Sequence, residues 1–255
     1  MGRVGEREQI GEHGDSAPPS PDPHTALEDL LAVIAHELRA PLAVVRSAAE
    51  TVSTRELAPE QRKELLEVIR RNADLAMLLT DRLGLARDVE RGVFHLDPVE
   101  LDLALVVGQT VSDLGPSIAR HHTMTVTASE PAMVVADETA VREILFNLLL
   151  NAVKYSPQGS TIGIGVAVVD GRCEFAVDDQ GPGVAADDLE RIFAKYEQLD
   201  GRSGGVGLGL FISRGLARAS GGELAVSALP DGGSRFVLSL PGGAPAATAD
   251  EAVVT

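Results

Sequence analysis

Apolar residues early in the chain recur in steps of three and four, which is the spacing of one face of a helix. This stripe consists of Leu27, Leu31, Ile34, Leu38, Leu42, Val45, Ala49 and Val52. It predicts a helix from Thr25 to about Arg55.

Pro59 suits the first turn of a second helix, whose less regular stripe continues to about Val89. The two helices would form a hairpin, and its remaining apolar face favours association of two hairpins into a four-helix bundle. Packing of the hairpin on the rest of the chain is the alternative.

After Arg91 the pattern changes to short alternating segments that are typical of strands, separated by three helical stretches. Strands are predicted at Val93–Leu96, Thr123–Ala128, Met133–Val135, Thr161–Val169, Arg172–Val177, Glu223–Ser227 and Ser234–Leu240. Helices are predicted at Leu101–Ala119, Ala140–Tyr155 and Leu208–Ala219. Asp170 and Gly171 form a two-residue turn of the kind that joins antiparallel strands. This second region is therefore predicted to be α+β, with a mixed sheet and helices mostly on one face.

The domain boundaries follow changes in composition. Residues 1–24 are rich in Gly, Pro and acidic side chains, which predicts a flexible lead. Residues 25–91 form the helical hairpin and residues 92–241 the second domain. Residues 242–255 are rich in Ala, Gly and Pro, and we expect this tail to be disordered.

Composition narrows the possible functions. The chain has 255 residues, of which 44% are hydrophobic and 3% aromatic, enough for two modest domains with aliphatic cores. Its formal net charge of −16 argues against nucleic-acid or anionic-membrane binding, which need basic surfaces. A single cysteine, Cys173, excludes an internal disulfide and a cysteine-based zinc site. No apolar run is long enough for a membrane span, and the opening residues lack a signal-peptide core. We therefore expect a cytoplasmic protein.

One histidine lies off the apolar stripe of the first helix. His36 falls midway between Ile34 and Leu38, so its side chain is expected to point to solvent, with Glu37 beside it. Pro41 has no N–H, so the carbonyl of Glu37 loses its helical partner and a bend is expected there. An exposed imidazole, an adjacent carboxylate and a local bend make a candidate nucleophile. A solvated surface histidine is the other interpretation.

The predicted helix from Ala140 to Tyr155 carries polar side chains in an otherwise apolar segment. Asn147, Asn151 and Lys154 share one face because they are spaced four and three residues apart. Amide oxygens suit Mg²⁺, and a lysine beside them suits phosphate. The polar face of an ordinary amphipathic helix would look the same.

Two glycine-rich segments suggest a ligand cradle. The segment Asp178–Gly183 follows a predicted strand, where glycines would let the backbone approach a planar ligand and an Asp could accept from an exocyclic amine. A plain turn has the same composition. The segment Gly204–Leu210 leads into a helix and could bind an anion with its free N–H groups. It is neither a Rossmann nor a Walker loop, because no strand immediately precedes it and no Gly-Lys-Ser/Thr follows.

Together these segments resemble the sensor histidine kinases of two-component signalling. The stretch from His36 to Leu42 looks like their histidine box and Asn147–Tyr155 like their asparagine box. Asp179–Gly183 and Gly205–Leu210 look like their two glycine boxes, and Phe193 like their phenylalanine box. The resemblance covers about residues 26–241 with the motifs in family order. It implies an all-α hairpin that forms a dimeric four-helix bundle, followed by an ATP-binding α/β sandwich of the kind shared with Hsp90-type ATPases and gyrase.

The resemblance also implies roles for individual residues. His36 would accept the γ-phosphoryl group of ATP, and Glu37 would draw the proton from its other ring nitrogen. Mg²⁺ would be held by Asn151, assisted by Asn147. The residues implied to bind ATP are Asn147, Lys154, Tyr155, Asp179, Gly181, Gly183, Phe193, Gly205, Gly207, Leu208 and Gly209. Asp179 would receive the adenine amine, and residues 187–204 would form a lid.

The function that follows is ATP-dependent phosphorylation of His36 in a homodimer, with transfer to an aspartate on the receiver domain of a response regulator. A hinge near Arg91 and Gly92 would let the ATP-binding domain swing onto the hairpin. Many family members have Thr or Asn four residues after the histidine, where it is thought to orient the water that dephosphorylates the regulator. This chain has Ala40 there, so we expect weak phosphatase activity.

Two other functions stay open at this point. One is a non-catalytic dimeric scaffold that binds ATP and regulates a partner kinase. The other is an Hsp90-like ATPase without phosphohistidine. The pair His36 and Glu37 argues against both, because neither a scaffold nor an ATPase needs an exposed histidine on a helical hairpin.

Overall fold

The computed structural model describes residues 23–118, 121–128, 130–199 and 206–243. Within these ranges the helices are α1 (Pro23–Thr54), α2 (Pro59–Arg91), α3 (Leu103–Ile118), α4 (Glu138–Tyr155) and α5 (Gly209–Ala219). The strands are β1 (Val99–Asp102), β2 (Thr123–Ala128), β3 (Met133–Ala136), β4 (Thr161–Val169), β5 (Arg172–Asp178), β6 (Glu223–Ala228) and β7 (Ser234–Pro241). Most of the predicted flexible lead and nearly all of the predicted disordered tail lie outside the described residues.

α1 and α2 pack against each other as the predicted hairpin. Pro41 and Ala48 of α1 are buried, and Val45 between them is partly buried, so these residues face inward. α1 is one continuous helix through Pro41, and the bend expected there stays a prediction. Leu42, which belongs to the predicted stripe, is instead 54% exposed, and Met77 of α2 is 65% exposed. The outer surface of a single hairpin therefore carries large apolar side chains.

The second domain is built on a five-stranded sheet in the order β2-β4-β5-β7-β6. β2 and β4 are parallel, and the other neighbouring strands are antiparallel. Phe175 lies opposite Val166 on one side and Leu238 on the other, and all three are buried. α3, α4 and α5 pack on the sheet, and the alternation of buried residues along the central strands indicates that they cover one face. The α+β prediction is confirmed.

The β4–β5 turn shows how local sequence fixes this topology. Asp170 and Gly171 have φ angles of 49° and 78°. Two positive φ angles give the turn the twist that adjacent antiparallel strands require. The predicted two-residue turn is confirmed, and it places β5 beside β4 in the middle of the sheet.

The strand predicted at Val93–Leu96 is wrong. β1 forms a few residues later, at Val99–Asp102, and pairs antiparallel with β3. A strand needs a partner for its N–H and C=O groups, and β3 pairs with this later segment instead. Phe94 and Leu96 still pack on the core, but from an irregular segment. As a consequence α3 starts at Leu103, later than predicted.

The end of the hairpin lies against the second domain. α2 ends where Gly92 takes a φ of 63°, a left-handed conformation that suits glycine. Just before this point Val89 packs against Gly215 of α5, and Glu90 Oε1 lies 2.5 Å from Lys195 Nζ. The hairpin and the second domain therefore share an interface. None of the helices in the described ranges is long and apolar enough to cross a lipid bilayer.

Candidate active site

A cavity of about 390 Å³ lies between α4, the residues next to β5 and β7, and the segment that leads into α5. Nine of the residues predicted to bind nucleotide or metal line this cavity. They are Asn147, Asn151, Lys154, Tyr155, Asp179, Gly183, Gly207, Leu208 and Gly209. The rest of the wall is largely apolar and includes Leu150, Ile192 and Phe236. The volume and the mixture of apolar walls with a few polar groups are typical of small-molecule sites.

α4 supplies one polar wall of the cavity. The helix begins after Asp137, whose carboxylate accepts the Ala140 N–H at 2.8 Å and caps the first turn. From this start the helical repeat brings Asn147, Asn151 and Lys154 to the same face, and all three line the cavity. The other side of α4 is apolar and packs in the core.

Asn147 is 2% exposed, and both ends of its amide are hydrogen bonded. Its Nδ2 donates to Glu143 Oε1 at 3.2 Å and to Ser213 Oγ at 3.3 Å. Its Oδ1 accepts a hydrogen bond from Arg82 Nη2 at 2.5 Å. The amide oxygen therefore points to the side of the cavity where α2 lies.

Arg82 is the main residue of the site that sequence reasoning missed. It belongs to α2 and lines the cavity together with Leu79 of the same helix. Arg82 and Asn147 are 65 residues apart and belong to two different predicted domains. The sequence pattern does not indicate how these domains pack against each other, so it could not predict this contact. Phe236 of β7 was also missed, although the alternation of apolar residues in that strand already marks it as inward-facing.

Asp179 lies at the other end of the cavity, directly after β5. Its Oδ1 accepts the N–H of Gly181 at 2.8 Å and the N–H of Ser234 at 3.2 Å. Burial raises the pKa of Asp179 above its usual range, while these backbone donors act in the opposite direction. The carboxylate is therefore held in a fixed orientation by the backbone.

Close backbone contacts explain the glycines around Asp179. A Cβ on Gly181 would lie 2.9 Å from Asp179 Oδ1 and 3.0 Å from the Tyr155 carbonyl. A Cβ on Gly233 would lie 2.0 Å from the Asp179 carbonyl, and Gly233 also has a φ of +93°. Gly181 supports the site without lining the cavity. Gly233 was not among the predicted site residues.

The second glycine segment packs closely against the backbone of Tyr196 and Glu197. Gly207 has a φ of +67°, and a Cβ there would lie 2.7 Å from the Glu197 carbonyl. The Gly207 carbonyl accepts the N–H of Tyr196 at 2.9 Å. This contact ties a residue within the predicted lid to the segment that leads into α5.

Four of the predicted residues, Gly181 among them, do not line the cavity, and a fifth lies outside the described residues. Phe193, which belongs to the predicted lid, is buried, with the Arg214 guanidinium 4.6 Å from its ring centre. His36 is exposed on α1 and Glu37 is partly buried beside it, and neither lines the cavity. Gly205 and the last residues of the predicted lid, 200–204, are outside the described ranges.

The residues present fit a magnesium–nucleotide complex. Asn147 and Asn151 offer amide oxygens to a cation, Lys154 offers charge to phosphate, and Asp179 offers an acceptor to an amine. Among the described residues no group of three or more His, Cys, Asp or Glu side chains could hold a metal ion. A cation in this cavity would therefore be held jointly by the amide oxygens and by the phosphate oxygens of a nucleotide.

Two family models match separate parts of the chain. Residues 26–89 match the family described as the His Kinase A (phospho-acceptor) domain. Residues 136–244 match the family described as Histidine kinase-, DNA gyrase B-, and HSP90-like ATPase. Aerobic respiration control sensor protein ArcB of Escherichia coli is 32% identical over 231 residues, which are 87% of this chain and 29% of that protein. Sensor protein PfeS of Pseudomonas aeruginosa is 37% identical over 202 residues, which are 76% of this chain and 43% of that protein.

Solved structures show the same architecture. The structure of full-length ShkA in complex with AMPPNP matches with a TM-score of 0.65 and 30% identity, over 86% of this chain and 47% of that chain. The Acinetobacter baumannii histidine kinase AdeS matches with a TM-score of 0.60, over 82% of this chain and 98% of that chain. At 21% identity the likeness to AdeS concerns the fold alone.

Fold and site together define a phospho-acceptor hairpin joined to an ATPase domain of the Hsp90 and gyrase type. The chain belongs to the sensor histidine kinase family of two-component signalling. It spans 29% and 43% of the length of the two curated relatives described above.

Proposed function

We propose that this chain is an ATP-dependent protein histidine kinase that phosphorylates its own His36. One observation carries the proposal: a single cavity unites the asparagine face of α4 with Asp179, and residues of the hairpin that bears His36 line the same cavity. A nucleotide site and a phospho-acceptor hairpin that lie next to each other in one chain are the two parts that phosphoryl transfer to a histidine needs.

In the proposed reaction ATP lies in the cavity with its adenine amine at Asp179. Its phosphates lie at Asn147, Asn151 and Lys154, which line the wall on the α4 side. Mg²⁺ on the amide oxygens of Asn151 and Asn147 would supply charge neutralisation for the phosphates. The protein residues therefore act mainly by positioning and by electrostatic stabilisation.

The chemical step uses the two residues on α1. The lone pair of one imidazole nitrogen of His36 attacks the γ-phosphorus of ATP. A nitrogen–phosphorus bond forms while the bond to the bridging oxygen breaks, and ADP leaves. Glu37 takes the proton from the other ring nitrogen, so the phosphorylated ring ends neutral. His36 does not line the cavity in this structure, so the step needs a movement of the second domain relative to the hairpin, for which Gly92 offers a hinge.

The proposal extends to two partners. A second copy of the chain would cover the apolar side chains on the outer surface of the hairpin, among them Leu42 and Met77, and complete a four-helix bundle. The receiver domain of a response regulator would take the phosphoryl group from His36 onto an aspartate. Both partners are implied by the family of the hairpin.

We also propose that the kinase has weak phosphatase activity toward its regulator. Ala40 is exposed one turn after His36 and has neither hydroxyl nor amide with which to orient a water. Ala40→Thr is expected to speed the loss of regulator phosphate in the presence of ADP several-fold. Ala43→Thr, at another exposed alanine of α1, is the matched control and should change nothing. Rapid dephosphorylation by the unmodified protein would contradict this part of the proposal.

Labelled ATP tests the kinase proposal. The expected product is a protein-bound label that is stable in base and lost in acid, and His36→Gln should abolish it. Nucleotide binding without protein label would instead support a scaffold. Nucleotide turnover without protein label would support an ATPase that makes no phosphohistidine.

A further inference from the structure

An arginine of the hairpin donates a hydrogen bond to the amide oxygen that would bind the cation of a metal–nucleotide complex. Arg82 Nη2 donates to Asn147 Oδ1 at 2.5 Å, and Arg82 and Leu79 bring α2 to the wall of the cavity. The guanidinium carbon also lies 5.9 Å from the ring centre of Phe146. Arg82 is 18% exposed in this position, so water screens its charge only in part.

The hydrogen bonds of the Asn147 side chain fix the direction in which its amide oxygen points. The two hydrogens of Nδ2 point to Glu143 Oε1 and Ser213 Oγ, so Oδ1 is the end that faces Arg82. A divalent cation on this oxygen would lie next to the guanidinium, and two positive charges at contact distance repel strongly in a partly buried site. Arg82 and a metal–nucleotide complex therefore exclude each other at Asn147.

The hydrogen-bond donors and the charge of Arg82 are only partly compensated by its neighbours. Its Nε is buried and has no hydrogen-bond partner within the part of the chain that the structure describes. Glu143 is the nearest carboxylate, but the separation of 3.9 Å is too long for a hydrogen bond. Burial lowers the pKa of Arg82 and raises the pKa of Glu143, so the desolvation of both charges is only partly offset. Such a contact opens more easily than a complete ion pair.

A second contact shows that Arg82 is part of an interface. Val89, two turns further along α2, packs directly on α5 at Gly215, where a Cβ would lie 2.5 Å from Val89 Cγ1. Lys195 and Glu90 form an ion pair at the same place. The position of Arg82 is therefore coupled to the docking of the whole end of α2 on the second domain.

We propose that Arg82 is a positioning residue that competes with the metal–nucleotide complex for Asn147, so that docking of α2 and loading of the site exclude each other. This inference rests on the proposed function, because it takes Asn147 to be a ligand of the loaded site. Thermodynamic linkage requires the effect to be reciprocal. If docking of α2 lowers the affinity for the metal–nucleotide complex by some factor, binding of that complex lowers the docking equilibrium of α2 by the same factor. Loading the site thus frees the hairpin that carries His36.

Nucleotide affinity gives the first test. Arg82→Met keeps most of the side-chain volume and removes the charge. We expect it to bind AMPPNP with Mg²⁺ about 10-fold more tightly than the unmodified chain, as loss of one charged competitor predicts. The gain should disappear when EDTA replaces Mg²⁺. Arg70→Met is the matched control, because Arg70 lies exposed on the same helix and, among the described residues, its ion-pair partners are Glu67 and Asp74.

A disulfide between α2 and α5 gives a second test that measures docking directly. The Val89 Cβ lies 3.2 Å from an ideal Cβ at position 215, close to the span of a disulfide. In the full chain with Val89→Cys and Gly215→Cys, AMPPNP with Mg²⁺ should slow disulfide formation. The oxidised protein should bind AMPPNP with Mg²⁺ about 10-fold more weakly than the reduced protein. Burial raises the pKa of Cys173, so this thiol is slow to compete.

A steric variant covers the case in which the disulfide fails to form. Gly215→Ala forces Val89 away from α5, since its Cβ would overlap a stiff branched side chain. It should tighten AMPPNP binding with Mg²⁺ as Arg82→Met does. Combining Gly215→Ala with Val89→Ala removes the overlap and should restore the original affinity.

The outcomes separate this inference from the proposed function. Equal or weaker binding of AMPPNP with Mg²⁺ by Arg82→Met, or equal affinity of the oxidised and reduced cysteine pair, would overturn the competition. In both cases Asn151→Ala would still lose binding if the nucleotide site itself is right. If the unmodified chain binds no AMPPNP with Mg²⁺, that result contradicts the proposed function and also the inference that rests on it.

Discussion

The two ends of the cavity are held in different ways. At the Asp179 end, backbone N–H groups of Gly181 and Ser234 orient the carboxylate, and Gly233 fits against its carbonyl without space for a side chain. At the Asn147 end, the amide is oriented by side chains from α2, α4 and α5. The Asp179 end is thus built by the backbone of one domain, and the Asn147 end depends on where the hairpin lies.

This difference indicates which part of the site is preformed. The Ser234 donor belongs to β7 and the Gly181 donor to the loop directly after Asp179, so neither depends on where the hairpin lies, and the Asp179 end is ready for a ligand before it arrives. Side chains on separate helices change partners when the helices move. Substitutions at the Asp179 end should therefore alter stability and affinity together, whereas those at the Asn147 end should alter affinity alone and more weakly.

Gly233→Ala should have the largest effect, because it attacks the backbone contact on which the Asp179 end depends. The new Cβ would meet the Asp179 carbonyl and would force alanine into a φ of +93°. Strain and overpacking together should lower the free energy of unfolding by about 4 kcal/mol. Urea denaturation measures this loss.

Gly232→Ala is the matched control for that prediction. Gly232 has a φ of +92°, but a Cβ there meets nothing within 4 Å. It should lose only about 1–2 kcal/mol, the backbone strain alone. Equal losses for the two variants would show that the contact with Asp179 is not what makes Gly233 necessary.

Asp179→Ala should have the next largest effect and should act on nucleotide affinity. It removes a charged acceptor from a buried position, where a hydrogen bond to a charged group contributes about 1.5–3 kcal/mol. Calorimetry should show roughly 50-fold weaker binding of AMPPNP. Asp231→Ala, at an exposed turn outside the cavity wall, is the control and should bind normally. Unchanged affinity in Asp179→Ala would mean that the carboxylate does not contact the nucleotide.

Asp179→Asn should stabilise the fold at neutral pH. Because the pKa of Asp179 is raised in the folded protein, the folded state binds the proton more tightly than the unfolded chain does. The free energy of unfolding therefore falls as pH rises from the usual aspartate pKa through the raised one. The amide removes that titration, so the variant should be more stable than the unmodified protein at pH near 7 and should show no such gain at pH near 3. A gain of equal size at both pH values would contradict this explanation.

Ser213→Ala should have the smallest effect, at the Asn147 end. It removes the neutral hydrogen bond from Asn147 Nδ2 to Ser213 Oγ but leaves the bond to Glu143. We expect about 3-fold weaker AMPPNP binding with little change in stability. Ser220→Ala at the end of α5 is the control, because in the described ranges its hydroxyl is buried without a partner. An equal loss of affinity in both variants would remove the special role of Ser213.

The same contrast explains how much the sequence could predict. Elements that depend on local patterns were predicted well: the hairpin from its stripe, α4 from its apolar run, and the β4–β5 turn from Asp170 and Gly171. The polar face of α4 and the two glycine segments come together in one cavity because each is set by local spacing.

The missed features all depend on distant partners. The segment Val93–Leu96 has the apolar residues of a strand, but β3 pairs with Val99–Asp102 instead. Arg82 resembles any cation on an exposed helix face until α2 is placed on α4. Gly233 looks like a turn glycine, and only its contact with the Asp179 carbonyl makes it part of the site.

The central claim is that His36 receives the phosphoryl group from a nucleotide in this cavity. The most direct measurement is to incubate the protein with γ-phosphate-labelled ATP and Mg²⁺, digest it at neutral to basic pH, and locate the label by mass spectrometry. We expect the label on the peptide that contains His36 and on no peptide with His95, His121 or His122, and we expect its loss in Asp179→Ala. Label on another residue, or undiminished label in His36→Gln, would contradict the account.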